Sequence, residues 1–100
     1  MDKKRIASIV LIDQRAPDGE LRKLKAYVED TGDLVLEGYD LGDRVEEWWG
    51  DADYEYWRRV EKDDVARVLL ELIKDRFQSD SAFVEWLKYK EIPSKFDSWI

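Results

Sequence analysis

Alternating apolar and polar residues in the first half of the chain predict three β-strands. The strands are expected over Ile6 to Gln14, Leu21 to Glu29 and Leu34 to Leu41. Ala16-Pro17-Asp18-Gly19 has the composition of a tight turn, and Asp30-Thr31-Gly32-Asp33 that of a second. Short turns join antiparallel neighbours, so we expect a three-stranded meander.

The alternation also predicts how the second and third strands pair. Placing Asp30 opposite Leu34 sets Val28 against Leu36 and keeps apolar residues together. The face expected to be covered then contains Leu24, Ala26, Val28, Leu34 and Leu36. The other face is expected to carry Lys25, Tyr27, Glu29, Glu37 and Tyr39.

A short helix and a fourth strand are predicted next. Asp43 stands in N-cap position, Glu46 three residues later completes a capping box, and Gly50 ends the helix. A strand is then expected from Tyr54 to Glu61. One face of it would carry Tyr54, Tyr56, Arg58 and Val60, and the other Glu55, Trp57 and Arg59.

The last third of the chain predicts two helices and an extended end. The first helix, capped by Asp63 or Asp64, has the apolar stripe Val65, Val68, Leu69, Leu72, Ile73 and Phe77. The second helix is expected over Ser81 to Lys90, and the side chains on its inward face would be those of Phe83, Trp86 and Leu87. The segment from Ile92 to Ile100 is expected to be an extended strand, in which Pro93 requires either a sheet edge or the first position of the strand.

These elements predict the fold class α+β. The antiparallel sheet would contain the meander and one or two further strands, with the two C-terminal helices packed on one face and the short helix before the fourth strand. A chain of 100 residues fits a single domain, 1–100.

Composition excludes several kinds of chemistry. The chain has no cysteine and no histidine, which removes disulfides, thiolate zinc sites and the commonest general base. Of the net charge of −7, all falls between Glu37 and Glu55, where eight acids meet one base, Arg44. Because polyanions are bound mainly through clustered Lys and Arg, nucleic-acid binding is not expected.

The start of the chain is interpreted as a strand rather than a targeting signal. Its apolar run from Ile6 to Ile12 contains Ser8, ends at Asp13 and is followed by no small-residue cleavage site. No run approaches the roughly 20 apolar residues that a membrane helix needs. We therefore expect a cytoplasmic protein without membrane contact.

The middle of the chain resembles a group of small stand-alone bacterial proteins to which no function is assigned. The matching residues are Gly32-Asp-Leu-Val-Leu-Glu-Gly38, Asp40-Leu-Gly42, Gly50-Asp51 and Tyr54-Glu-Tyr56, with a looser match from Glu91-Ile-Pro93 to Trp99. The resemblance covers about half of the chain. It implies a self-contained domain and transfers no catalytic residue.

One candidate chemistry is a divalent-metal hydrolase using Asp51, Asp53 and Glu55, because hard cations bind oxygen ligands. An EF-hand is excluded, since Tyr56 and Lys62 occupy the positions of its glycine and final glutamate. A looser Mg²⁺ or Ca²⁺ site formed by these acids with Asp40 or Asp43 is a further alternative, against a solvated acidic loop. No other catalytic constellation or cofactor motif is found. An enzyme is therefore the less favoured interpretation.

The favoured hypothesis is a non-enzymatic binding module, in the form of an immunity or inhibitor protein that engages a basic protein. Clustered carboxylates would steer the partner, and aromatic side chains would anchor it. A structural domain whose aromatic residues simply form core remains the other alternative. The candidate surface around residues 40–57 comprises Tyr39, Asp40, Asp43, Glu46, Glu47, Trp49, Asp51, Asp53, Glu55 and Trp57.

Overall fold

The computed structural model describes residues 4–42 and 53–99. The chain forms two compact units, Met1–Ala66 and Arg67–Ile100. A four-stranded antiparallel sheet and two helices confirm the predicted α+β class. The packing of helices on the sheet and the single-domain organisation stay predictions, and the short helix after Asp43 lies outside the described residues. No helix in the described ranges is long and apolar enough to cross a membrane.

The sheet contains the three predicted strands and the predicted fourth. They are β1 Arg5–Arg15, β2 Leu21–Glu29, β3 Leu34–Leu41 and β4 Asp53–Val60, in the spatial order β1-β2-β3-β4. In the described ranges, β1 and β4 are therefore the end strands. Gly19, with φ +92°, closes the β1–β2 turn in the left-handed region that glycine adopts without strain.

The predicted register between β2 and β3 was wrong by two residues. The Glu29 N–H donates to the Asp33 carbonyl at 2.9 Å, and Gly32 has φ +95°, so the three-residue loop is 30–32, one residue earlier than the predicted 31–33. Val28 consequently pairs with Leu34 rather than Leu36. Because two is an even number, each side chain keeps its predicted face.

The deepest burial in the sheet lies on the face that was not predicted to be covered. Val35 is fully buried. Tyr27 and Glu29, on the same face, are only 7% and 5% exposed to solvent. We call this the charged face: Lys25, Tyr27, Glu29, Val35, Glu37, Tyr39, Asp53, Glu55, Trp57 and Arg59. The opposite face, the apolar face, contains Leu24, Ala26, Val28, Leu34 and Leu36, all half-buried.

Paired long side chains give the physical reason for this burial. Val35 stands between Tyr27 on β2 and Arg59 on β4. Arg59 is held over the strands by Glu29 and Asp33, so its aliphatic stem contributes cover while its charge stays paired. Hydrophobic patterning alone counts the charged residues around Val35 as polar and so assigns the core to the other face.

The first helix, α1 Lys62–Arg76, begins earlier than predicted. Asp63 and Asp64 therefore lie in its first turn and not at the N-cap. The Lys62 N–H, one of the N–H groups that a helix start leaves without a helical acceptor, donates to Oδ1 of Asp33 at 2.8 Å. This acceptor comes from the β2–β3 turn, too distant in sequence for a local capping pattern to indicate.

The second helix, α2 Asp80–Tyr89, packs its aromatic residues with the end of α1 inside the second unit. Ser79 is the N-cap, since its Oγ accepts the Ala82 N–H at 3.1 Å. The Phe77 ring meets Phe83 edge-on at 5.1 Å and Trp86 at 5.5 Å. Phe83 and Trp86, the aromatic residues of α2 predicted to point inward, thus both contact the Phe77 ring. In the α1 stripe, however, Leu69 and Leu72 are more than half exposed.

The predicted strand at the end of the chain is not formed. Residues 92–99 have no regular secondary structure and are exposed. The chain leaves α2 through a Schellman motif, in which the Ile92 N–H donates to the Leu87 carbonyl at 2.9 Å and Glu91 takes φ +59°. This end, followed at once by Pro93, directs the chain away from α2 without strand pairing.

Candidate functional site

The structure describes half of the predicted candidate surface. Five of its ten residues lie in the described ranges: Tyr39, Asp40, Asp53, Glu55 and Trp57. The other five lie outside them: Asp43, Glu46, Glu47, Trp49 and Asp51. The described part of the candidate surface therefore belongs to β3 and β4.

Strand pairing brings four of the five residues together. Tyr39 on β3 pairs with Glu55 on β4, while Asp53 and Trp57 each stand two positions from Glu55 and share its face. Asp40 pairs with Tyr54 and therefore lies on the apolar side of the sheet. We call the four residues on the charged face the acidic-aromatic patch: Tyr39, Asp53, Glu55 and Trp57.

The acidic-aromatic patch is open to solvent. Trp57 is 57% exposed, Asp53 and Glu55 are exposed, and Tyr39 is half-buried. In the part of the chain that the structure describes, no basic side chain lies within ion-pair distance of Asp53 or Glu55. These two charges are therefore available to a ligand, beside an indole with a large free surface.

Glu37 joins the patch to a network that sequence reasoning missed. Its Oε1 accepts the indole N–H of Trp57 at 2.8 Å, and its Oε2 lies 2.8 Å from Nζ of Lys25. Arg5 approaches the same Oε2 at 3.8 Å and places its guanidinium 3.8 Å from the ring centre of Tyr27. Trp57 is thus oriented by a fixed acceptor while most of its ring faces solvent.

The neighbours of Glu37 lower the pKa of its carboxyl group. The hydrogen bond from Lys25, opposed by partial burial and reinforced by Trp57 and the charge of Arg5, holds the pKa of the Glu37 carboxyl below its ordinary value of 4.5. The carboxylate is therefore ionised at neutral pH and stays ionised further into the acid range. A permanent negative charge at this position keeps the Trp57 indole N–H bonded.

A second ionic cluster lies at the other end of β4. Arg59 donates hydrogen bonds to Glu29 and, at 3.0 Å, to Oδ2 of Asp33. The other carboxylate oxygen of Asp33, Oδ1, accepts the backbone N–H of Lys62 at the start of α1. The hydrogen bonds that Arg59 donates to Glu29 and Asp33 raise the pKa of its guanidinium. The cluster joins the β2–β3 turn, β4 and the start of α1, and it has a structural role.

A shallow pocket of about 370 Å³ borders the acidic-aromatic patch. Tyr39, Glu37 and Glu55 line it together with Lys23 and Lys25 from β2. The two lysines give this part of the charged face both signs of charge. The strongly acidic character read from residues 37–55 therefore applies to the β4 side of the face, around Asp53 and Glu55.

Asp40 has a different environment. Its Oδ1 is buried, lies 4.0 Å from Nε of Arg22, and has no hydrogen-bond partner among the described residues. At that distance the attraction to Arg22 is electrostatic rather than a hydrogen bond. Asp40 is not part of the surface that the other four residues form.

The proposed metal site is only partly described. Asp53 and Glu55 share a strand face, and Asp51 lies outside the described residues. Within the described ranges, no group of three acidic side chains could hold a metal ion. The hydrolase hypothesis stays a prediction.

The pKa of Glu37 gives a pH dependence. Because the folded-state pKa lies below 4.5, ionised Glu37 should stabilise the fold fully above about pH 4.5, and this contribution should disappear as the pH falls through the folded-state value. Wild type should therefore be more stable than Glu37→Gln at neutral pH, and the difference should shrink on acidification. Urea unfolding between about pH 3 and pH 7 measures both.

Glu55→Gln is the matched control for this titration. Glu55 makes no ion pair in the described part of the chain, so Glu55→Gln should cost less stability at neutral pH than Glu37→Gln. A difference between wild type and Glu37→Gln that stays constant from neutral to acid pH would contradict the assigned role of Glu37.

Comparisons with known proteins add no assignment to these observations. No family model, no curated protein and no solved structure matches the chain. The site is therefore interpreted from its own geometry and charge.

Proposed function

We propose that this protein is a non-enzymatic binding module that engages a basic protein through the acidic-aromatic patch. The observation that carries the proposal is the placement of Asp53, Glu55 and Trp57 side by side on one exposed face of an end strand, where neither carboxylate makes an ion pair with a described residue. Carboxylates attract a cationic partner over a distance, and a large exposed indole supplies contact area.

The network around Glu37 supports this use of Trp57. An indole held by an acceptor at 2.8 Å loses less conformational entropy on binding than a free side chain would. The remaining acids of the candidate surface, Asp43, Glu46, Glu47 and Asp51, precede β4 in the sequence and would extend the negative potential. Asp40 is left out, because it lies on the other side of the sheet.

A concrete form of the proposal is an immunity or inhibitor protein for a nuclease toxin. An enzyme that holds nucleic-acid phosphates presents Lys and Arg in its active site, and an acidic ligand can occupy that site in place of the substrate. Trp57 would then stack on an arginine or fill an apolar gap beside the cationic groups. The proposed location of this interaction is the bacterial cytoplasm.

Affinity capture with matched variants tests the proposal. The purified chain is immobilised at low salt, exposed to lysate of the native host, and any retained protein is identified, purified and remeasured by calorimetry. Asp53→Asn/Glu55→Gln should slow association about tenfold, and Trp57→Ala should weaken binding by about 2 kcal/mol. The affinity should also fall steeply with added salt.

The control variant is Glu71→Gln/Glu85→Gln. It removes the same charge from exposed positions on α1 and α2 that make no ion pair in the described ranges. A basic partner bound equally by the patch variant and the control, or bound independently of salt, would refute the role of the acidic-aromatic patch.

A further inference from the structure

The longest strand of the sheet has an unpaired edge in the described part of the chain. β1 contains 11 residues and stands at the end of the strand order, so one row of its backbone N–H and C=O groups has no strand beside it. Such an edge is a template for pairing with another strand. The opposite end strand, β4, is the one that carries the acidic-aromatic patch.

β1 has few of the features that normally protect an edge. Its segment from Ile6 to Ile12 contains one polar residue, Ser8, and neither a charge nor a proline. Bulges, another protective device, interrupt its pairing with β2 at two places, but the residues left without a β2 partner are Ile6 and Leu11. Both bulges therefore add apolar surface to the edge instead of charge.

The apolar residues of β1 are exposed on both faces of the sheet. Ile6, Ile9, Val10 and Leu11 are 67%, 62%, 65% and 51% exposed. Ile9 pairs with Ala26 and shares the apolar face, whereas Val10 pairs with Lys25 and lies on the charged face. An element packed on one face of the sheet would cover either Ile9 or Val10 and leave the other exposed. A strand added along the edge of β1 lies beside the residues of both faces at once.

The sequence of β1 is complementary to itself in one antiparallel register. If Ile9 of two copies meet at a two-fold axis, Arg5 of each copy faces Asp13 of the other, and Ile6 faces Ile12. The Arg5–Asp13 and Ser8–Val10 pairs each stay on one face, since all four residues lie on the charged side. A shift to the register centred on Val10 would instead place Arg5 against Arg15, two like charges.

We propose that the edge of β1 is a self-association site, at which two copies of this chain pair antiparallel about Ile9 to form a continuous eight-stranded sheet. The interface is isologous and closes on itself as a dimer. Charge complementarity at Arg5 and Asp13 selects the register, and the exposed aliphatic residues supply the buried area. The acidic-aromatic patch stays at the two outer ends of the sheet, so the dimer presents two copies of it.

Sedimentation equilibrium over about 1 µM to 1 mM protein tests the association. Wild type should dimerise, and Asp13→Arg should weaken the dimer at least about tenfold, because each of the two symmetric pairs becomes a like-charge pair. Asp75→Arg changes the net charge equally on an exposed position of α1 and should leave the dimer unchanged. Circular dichroism confirms that the variants remain folded.

Single-cysteine variants test the register, since the natural chain has no cysteine. With Ile9 at the axis, Ile9→Cys places two thiols across neighbouring strands, within disulfide reach, and diamide should cross-link it. In Ile12→Cys each thiol faces Ile6 of the other copy, so the two thiols are far apart and cross-linking should be lost. A wild-type monomer at about 1 mM, an assembly that grows beyond a dimer, or equal cross-linking of both variants would overturn the proposal.

Discussion

Gly38→Ala should lower the free energy of unfolding by about 1–3 kcal/mol, although alanine is the better strand residue. Gly38 is buried, and a Cβ built on it would overlap the ring of its β4 partner, Tyr56. That ring lies across the glycine and stacks at 5.5 Å on Tyr54. The added methyl group must displace an ordered aromatic side chain and disturb the stack. Urea unfolding of the two proteins measures the cost.

A double-mutant cycle separates this clash from the backbone effect of alanine. In a Tyr56→Ala background the ring is absent, so Gly38→Ala should be neutral or stabilise by about 0.5 kcal/mol. In a Tyr56→Phe background the ring remains, and the full cost should remain with it. Equal costs in the alanine and phenylalanine backgrounds would show that the Tyr56 ring is not the cause.

Val35→Ala should cost about 2 kcal/mol of stability, because it removes two methyl groups from a fully buried side chain and leaves a cavity. The substitution tests the assignment of the deepest sheet burial to the charged face. Denaturant midpoints for the wild type and the variant, measured at one pH and interpreted with a common m-value, give the difference.

Two other valines provide matched controls, since each undergoes the same chemical change in a strand. Val28 is half-buried on the apolar face, so Val28→Ala should lower the free energy of unfolding by less than Val35→Ala does. Val10 is 65% exposed, so Val10→Ala should lower it by less than about 0.5 kcal/mol. A loss for Val28→Ala as large as that for Val35→Ala would restore the apolar face as the better-packed side of the sheet. The original hydrophobic pattern would then be the better guide to the core.

Local patterns predicted the elements well because their causes are local. Alternation and turn composition placed β2 and β3 at the observed bounds and β1 and β4 within a residue. The position of the loop was harder to predict, since Asp30-Thr31-Gly32-Asp33 allows a three-residue loop at 31–33 as well as the observed loop at 30–32, which ends at left-handed Gly32. That choice moved the register by two residues and left the faces intact.

The candidate surface was predictable in part for the same reason. Alternation along β4 separates Glu55 and Trp57 from Tyr54 and Tyr56, and the structure keeps that division. Tyr39 joins Glu55 only through the β3–β4 register, which no local pattern specifies. Asp40 was predicted with the surface because it is near in sequence, yet neighbouring residues in a strand point to opposite faces.

The sequence by itself determined the α+β class, the four strands of the sheet, the two helices, the faces assigned to residues of β2, β3 and β4, and the exclusion of thiol and histidine chemistry. Each of these follows from residue type or from periodicity along a short segment. Only the tertiary structure decided that Lys25 forms an ion pair with Glu37 and that Asp33 accepts a hydrogen bond from the Lys62 N–H at the start of α1. It also decided that Val35 is buried on the charged face. These outcomes depend on which residues meet across strands, because burial and charge are set by neighbours distant in the chain.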